Sequence, residues 1–471
     1  MKKKYVRWTL WTIASPFILF IILCILIYMP TIQNILVDKA PVYASESTGM
    51  NISVGRISLS FPLNLVVTNV DAASPHNDTL LSVRRLQVNV QLLPLLKKQV
   101  EVDGISLQGA TVNSNDLIHG MKLNGTLGEL FISSHGVALD PETAIVNKVL
   151  LKDTDLSLCL NDTAAADTAA SDTTYWKIIL QDIDLQNVSF ALDMPLDSLS
   201  LAASLDNAIL RDGLIDLHKS AYSLQTFRIK NGRVRYDSGK PLAADSLPSG
   251  LDPSHIALTD IGVKLDSLYY GGRNMKAIIS QFVLKERSGV EIVSATGRMV
   301  SNDKVLRVPS LKLETRDSYL ELNAAMDWNA LDFKDEGLVS ARLMADIGKP
   351  DVVRFMGSMD EKFIRQYPSE PLRIRTGIDG DLNKLKLTTL TAELPGALGL
   401  FARGELTHLT DSLLRGGDIT LEAETKDLKF VSTLAEGIEI PYGTRLEGKF
   451  TMAGTKMGTD LLLMQPEAQA V

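Results

Sequence analysis

The sequence predicts a mainly β protein: an N-terminal transmembrane helix, a short amphipathic helix, and then a long series of strands. Three observations predict it. The stretch from Trp8 to Pro30 holds no charged residue. From Asn51 onward, apolar and polar residues alternate with a period of two, as half-buried strands require. Within that alternation one short motif recurs, broken each time by Gly, Asn or Asp.

The first element is the apolar stretch. About 20 helical residues at about 1.5 Å each span the roughly 30 Å of a bilayer's hydrocarbon. Lys2, Lys3, Lys4 and Arg7 precede it, which places the N-terminus in the cytoplasm and the bulk of the chain outside. Trp8, Trp11 and Tyr28 stand where interfacial aromatics belong, with Phe17 and Phe20 inside the span. A cleaved signal peptide has the same basic start, but its apolar core runs about 7–15 residues and closes on a small-x-small site. This run is longer, and Ala44, the nearest alanine of that kind, lies well past Met29. An uncleaved single-pass anchor over residues 1–30 is the expectation.

Residues 31–48 read as the amphipathic helix, with Ile32, Ile35, Leu36 and Tyr43 at helical spacing and Pro41 as a kink or stop. It is expected to lie on the membrane surface, to plug the end of the next domain, or to pack as plain core.

Residues 49–471 form the β domain. Ile57, Leu59 and Phe61 alternate with Ser58 and Ser60, and Leu86, Val88 and Val90 with Gln87 and Asn89. The pattern persists through Leu385 and Leu387, then Ile419, Leu421 and Ala423, then Leu428 and Phe430. Helical spacing after residue 48 is confined to Pro141 to Leu151, Leu201 to Leu210 and Pro350 to Gln366. Asn161 to Thr174, rich in Ala, Asp and Thr, and Lys240 to Pro253 read as loops.

The motif is apolar-x-apolar-x-(Gly/Asn/Asp)-x-x-apolar. Its six copies begin Leu65, Val67, Asn69; Ile105, Leu107, Gly109; Val149, Leu151, Asp153; Ile183, Leu185, Asn187; Phe227, Ile229, Asn231; and Ile256, Leu258, Asp260. The last apolar residue falls an odd number of places on, which swaps faces in a regular strand. Gly, Asn and Asp tolerate the backbone of a bulge, which would restore the face and bend the strand. Copies lie 29 to 44 residues apart, so this is not a strict solenoid, and unrelated hairpins remain the alternative. Leu461 to Met464 form an apolar run near residue 471, where the domain is expected to continue in a longer protein, a short tail being the alternative.

Composition narrows the function. A net charge of −8 argues against a nucleic-acid partner. Two cysteines, Cys24 in the apolar stretch and Cys159 beyond it, exclude a disulfide-stapled domain. The six histidines show no metal-ligand spacing and read as surface or loop residues. No phosphate loop, dinucleotide fingerprint, zinc-protease helix or nucleophile elbow occurs. Asp182 and Asp184 read as solvent-facing, and Cys159 as a small core residue. The chain reads as neither an enzyme nor a cofactor protein, and no metal is implied.

The order of features resembles the AsmA-like proteins, and among them the TamB type. The resemblance rests on the basic start and membrane helix, then Gly49, Ile52, Val54, Gly55, Arg56 and Ile57, then Phe61, Pro62, Leu63 and Leu65 with Asn69 and Val70. It continues in Asp78, Thr79, Leu80 and Leu81, in the Leu92 to Leu96 turn, and in Val100, Val102, Ile105, Leu107, Gly109, Ala110 and Val112. It covers residues 1–115; this sequence does not contain the C-terminal domain that defines the TamB type, so the TamB type and another AsmA-like member both stay open. The resemblance implies an elongated antiparallel β-sheet bent into a groove, anchored in the inner membrane and reaching through the periplasm. It implies phospholipid movement between inner and outer membranes, or help in assembling outer-membrane barrel proteins beside a barrel partner.

The residues fit a lipid conduit on their own terms. A lipid with roughly 30 chain methylenes, at about 0.8 kcal/mol each, meets a barrier on the order of 20 kcal/mol on entering water alone. An apolar trough removes much of that barrier and needs no nucleotide, metal or acid–base pair. Its candidate residues are Leu65, Val67, Ile105, Leu107, Ile183, Leu185, Phe227, Ile229, Ile256 and Leu258. A structural stalk, in which these ten fill a sandwich core, is the third reading. Roughly 25 strands at about 4.8 Å would reach about 120 Å.

Overall fold

The structure, a computed structural model, describes residues 39, 41–60, 63–74, 78–91, 102–114, 120–138, 142–161, 175–240, 250–334, 337–356, 360–433 and 441–465. The expected anchor, including Trp8, Trp11, Phe17, Phe20 and Tyr28, lies outside the described residues, as does most of the Asn161 to Thr174 loop. Among the described residues, no helix is long and apolar enough to cross a membrane.

The chain is mainly β, with twenty-two strands among the described residues. It divides into two compact units, residues 1–207 and 208–471. In the first unit lie β1 (Asn51–Ser60), β2 (Asn64–Ala73), β3 (Thr79–Val90), β4 (Val102–Asn113), β5 (Met121–Ala138), β6 (Thr143–Leu160) and β7 (Lys177–Met194). Strand β8 (Leu199–Asp216) contains the division. Each of β1 to β6 pairs antiparallel with the next, except that β6 and β7 run parallel. That pair corrects the expectation of a wholly antiparallel sheet. Its register holds a constant offset of 34 residues from Thr143↔Lys177 to Cys159↔Asp193.

Residues 41–48 are helical, and the Ser45 hydroxyl accepts the Ile52 backbone N–H of β1 at 3.0 Å. The helix thus supplies an acceptor at the start of that strand. Tyr43, on the apolar stripe of this helix, is 76% exposed.

The six Gly, Asn and Asp residues of the motif all hold left-handed backbone, with φ between 49° and 61°. A seventh copy, Ala208, Leu210, Asp212 and Ile215, has Asp212 at φ 51° and went unread because Ala208 is weakly apolar. In the first unit these residues lie at one level across the strands. One row crosses seven strands through Gly55, Asn69, Arg84, Gly109, Gly128, Asp153 and Asn187, and the ladder skips one rung there in every pair. The register does not shift at the row, so this is not a bulge of two residues against one. Every strand carries its own surplus residue at the same level. In the second unit, by contrast, register shifts flank Gly232, next to Asn231, as an ordinary bulge requires.

The row explains two glycines. A Cβ on Gly55 would stand 3.1 Å from Asn69 Cβ, and one on Gly128 would stand 2.8 Å from Asp153 Cβ. The left-handed partner places its side chain where the neighbour's Cβ would be.

The second unit continues with β9 (Ala221–Leu224), β10 (Thr226–Ser238), β11 (His255–Gly271), β12 (Asn274–Glu286), β13 (Glu291–Ser301), β14 (Val305–Thr315), β15 (Tyr319–Asp327) and β16 (Leu338–Ile347). It ends with β17 (Leu372–Asp381), β18 (Lys384–Leu394), β19 (Leu398–Thr407), β20 (Gly416–Thr425), β21 (Arg445–Ala453) and β22 (Lys456–Met464). From β10 onward each strand pairs antiparallel with the next.

Three of the sequence's local expectations change. Pro141 to Leu151 and Leu201 to Leu210 are expected to be helical, but residues 143–151 lie in β6 and the second segment in β8, where pairing overrides local periodicity. Leu428 and Phe430 are not in a strand. They are buried in a turn with Phe363, Tyr367, Leu394 and Ala397. Pro350 to Gln366 is helical in two pieces, Lys349–Phe355 and Glu361–Gln366, the second capped by the Asp360 side chain accepting from the Lys362 N–H.

Candidate functional site

The strand registers of the first unit sort its residues into transverse lanes. One lane is Ile57, Val67, Leu86, Leu107, Leu130, Leu151 and Leu185. The next is Leu59, Leu65, Val88, Ile105, Ile132, Val149 and Ile183. Both are wholly apolar across seven strands. Beyond the row, Val54, Val70, Val83, Ala110, Leu127, Thr154 and Val188 form a third, and Ile52, Ala72, Leu81, Val112, Gly125, Leu156 and Phe190 a fourth.

The alternation changes phase at the row in every strand. In β1 the apolar positions are 52 and 54, then 57 and 59. The extra residue at the break keeps both sets on one face; in β2, β4, β6 and β7 it is left-handed, as Asn69, Gly109, Asp153 and Asn187, while Gly55, Arg84 and Gly128 in the strands beside them are not. Polar lanes lie between them, such as Arg56, Thr68, Arg85, Gln108, Glu129, Lys152 and Gln186. Val66, Phe131 and Leu150 are the apolar exceptions on that polar side.

Six of the ten candidates, Leu65, Val67, Ile105, Leu107, Ile183 and Leu185, fall in the first two lanes. The parallel pairing of β6 with β7 makes this possible, because it keeps two successive copies running the same way. The other four are not gathered so. Phe227 and Ile229 pair with Leu265 and Val263, whereas Ile256 and Leu258 pair with Tyr236 and Val234, on the far side of the bulge. All ten are half-buried, and none is sealed. Four lanes of seven positions, at about 4.8 Å between strands and about 3.3 Å per residue along them, make an apolar face on the order of 900 Å².

Apolar lanes also cross β15 to β22, beyond the six copies of the motif. One is Leu322, Leu343, Thr376, Leu390, Ala402, Leu421, Gly448 and Leu461. Its many small residues carry little periodic signal. The opposite side bears cross-strand ion pairs, among them Lys384 with Glu405 at 3.1 Å and Arg375 with Asp346 at 2.8 Å. Among the described residues, fully packed clusters are confined to the ends of these strands. One surrounds Phe363, Tyr367 and Phe430, whose rings meet at 5.2 to 5.9 Å, and the other joins Ala330, Val339 and Leu382.

Several polar side chains pair with one another. Asp182 and Asp184 stand on the polar side, and Asp184 accepts from Gln186 and Asn207. Cys159 corrects an expectation. Leu158 and Leu160 take the inward positions, so Cys159 points to the polar side and its thiol donates to Asn161 Oδ1 at 3.2 Å. His255 corrects another, being 9% exposed between the Asp252 carboxylate at 2.8 Å and the Lys240 carbonyl at 2.9 Å. That hydrogen bond from His255, foremost, and the Ser254 N–H hold Asp252 below the usual aspartate range. Among the described residues, no three His, Cys, Asp or Glu side chains gather as metal ligands.

No protein-family model matches the chain, and no curated protein matches it.

Proposed function

We propose that the protein is a lipid conduit of the AsmA-like type. In this reading its apolar face, bent along the row of surplus residues into a trough, carries the acyl chains of phospholipids between inner and outer membranes. The observation that supports it is the four lanes of the first unit, unbroken by charge over seven strands. Soluble monomers rarely present an apolar patch above a few hundred Å², and most side chains of this one are half-buried, although Ile57, Ala72, Val83, Ala110 and Thr154 are buried. Acyl chains match it because they ask only for continuous apolar contact and can slide from lane to lane. The polar side, with its ionised and amide groups, keeps the other surface in water.

The test is site-specific photo-crosslinking in membranes. A photoreactive residue at Leu107 or Leu185 is expected to capture phospholipid, and one at the adjacent Gln108 or Gln186 is not. Equal capture on the two sides, or protein adducts alone at Leu107, would sink the reading. Protein adducts alone would favour an assembly factor for barrel proteins.

A further inference from the structure

At one end of the second unit's strands, three connections present large apolar side chains to solvent. Leu331 and Phe333 follow β15, Leu413 and Leu414 stand between β19 and β20, and Met457 opens β22. Phe333 is 65% exposed, Leu413 79%, Leu414 64% and Met457 81%. The pairings Leu338↔Asp381, Lys384↔Thr407, Thr407↔Gly416 and Gly416↔Ala453 put all of them on one rim.

Phe333 is the most telling. It holds φ 61°, a region that a bulky side chain enters only when its surroundings impose it. Its N–H donates to the Ala330 carbonyl, and the Lys334 N–H to Asn329, so the turn closing a short helix carries phenylalanine where glycine is usual. The rim also continues the apolar face. Met457 pairs with Met452, and the lane runs on through Gly417, Leu406 and Leu385.

We propose that this rim inserts into the interfacial layer of a phospholipid bilayer. Phe333, Leu413, Leu414 and Met457 are the inserted side chains, and the lane behind them is where acyl chains pass between bilayer and sheet. The proposal rests on the lipid reading above. The tips ride on separate turns from β16 to β22, roughly 29 Å across six strand spacings. They are not gathered into one central patch, as a protein partner's hot spot would be. Each has ionised neighbours in sequence: Asp332 and Lys334, Asp411 and Arg415, and Lys456. That arrangement suits an apolar tip among acyl chains with charge at the level of the headgroups.

The experiment uses the full chain with Cys24→Ser and Cys159→Ser, carrying an environment-sensitive fluorophore at Leu413→Cys or Met457→Cys. Leu196→Cys, at a position 63% exposed in the other unit, is the solvent control. The probe is phosphatidylcholine vesicles with and without brominated acyl chains. Blue-shifted emission and quenching by bromolipid are expected at 413 and 457 and not at 196. They should persist in high salt, because apolar insertion is not screened. Adding Phe333→Ser and Leu414→Ser should cut the quenching at 413 several-fold. No quenching at 413 and 457, equal quenching at 196, or loss in high salt would overturn the proposal. Lipid capture at Leu107 without quenching at the rim rejects the rim alone. Quenching at the rim without capture at Leu107 supports the rim and rejects the conduit.

Discussion

The Asn187 side-chain amide donates to the Asp153 carboxylate at 2.9 Å, and both residues hold left-handed backbone, at φ 51° and 49°. They are equivalent positions of two parallel strands, 34 residues apart. Their hydrogen bond replaces the ladder rung that the backbone gives up at the row.

Asn69 is expected to tolerate glycine and to reject valine. A β-branched side chain in the left-handed region costs about 1–2 kcal/mol. Urea denaturation should show Asn69→Val lowering stability by about that amount, with Asn69→Gly within about 0.5 kcal/mol of the parent.

Gly128→Ala should destabilise through contact alone. Its Cβ would lie 2.8 Å from Asp153 Cβ and 2.9 Å from backbone oxygens, so the strands must part, at about 1–3 kcal/mol. Gly399→Ala is the control. It lies in β19, nothing stands within 4 Å of its added Cβ, and it should be neutral or stabilising by about 0.5 kcal/mol. The difference between the two midpoints of unfolding checks the pairing across the row.

Asp351 is 1% exposed and accepts from Thr315, Ser318 at 2.6 Å and Arg354 at 3.0 Å. It ties the turn between β14 and β15 to the helix Lys349–Phe355. Asp351→Ala strands those donors and should cost about 3 kcal/mol or more, read as a lowered melting temperature.

The second unit should weaken in acid. Burial pushes the Glu286 carboxyl up, but hydrogen bonds from Ser288, then from the Ala257 and Arg287 backbone, outweigh it and leave it below the usual 4.5. A carboxyl lowered on folding contributes stability above its unfolded value and loses it as pH falls through the folded one. Unfolding free energy should therefore drop below about pH 4.5, and Glu286→Gln should flatten that part of the profile. An unchanged profile in the variant would count against this origin.

Much of the first unit was legible in the sequence because its strands have one apolar and one polar side, and period-two alternation reports that directly. The six breaks were legible because Gly, Asn and Asp are the residues that accept left-handed backbone. Their alignment into one row was not, since register depends on which strands meet, and the parallel pair of β6 and β7 has no local signature. In the second unit Ala402, Gly404, Ala423 and Gly448 line apolar lanes too quietly for a pattern search. Leu428 and Phe430 mimic a strand while anchoring a turn. Phe333 had no signal at all, because its exposure follows from the turn that holds it.

The constant offset between β6 and β7 has a consequence for how such a chain can lengthen. Where each strand brings its own extra residue, a duplicated strand arrives already matched to its neighbours. Copying a segment then widens the sheet with no need to renegotiate pairing elsewhere. Span becomes a quantity that gene duplication can adjust strand by strand.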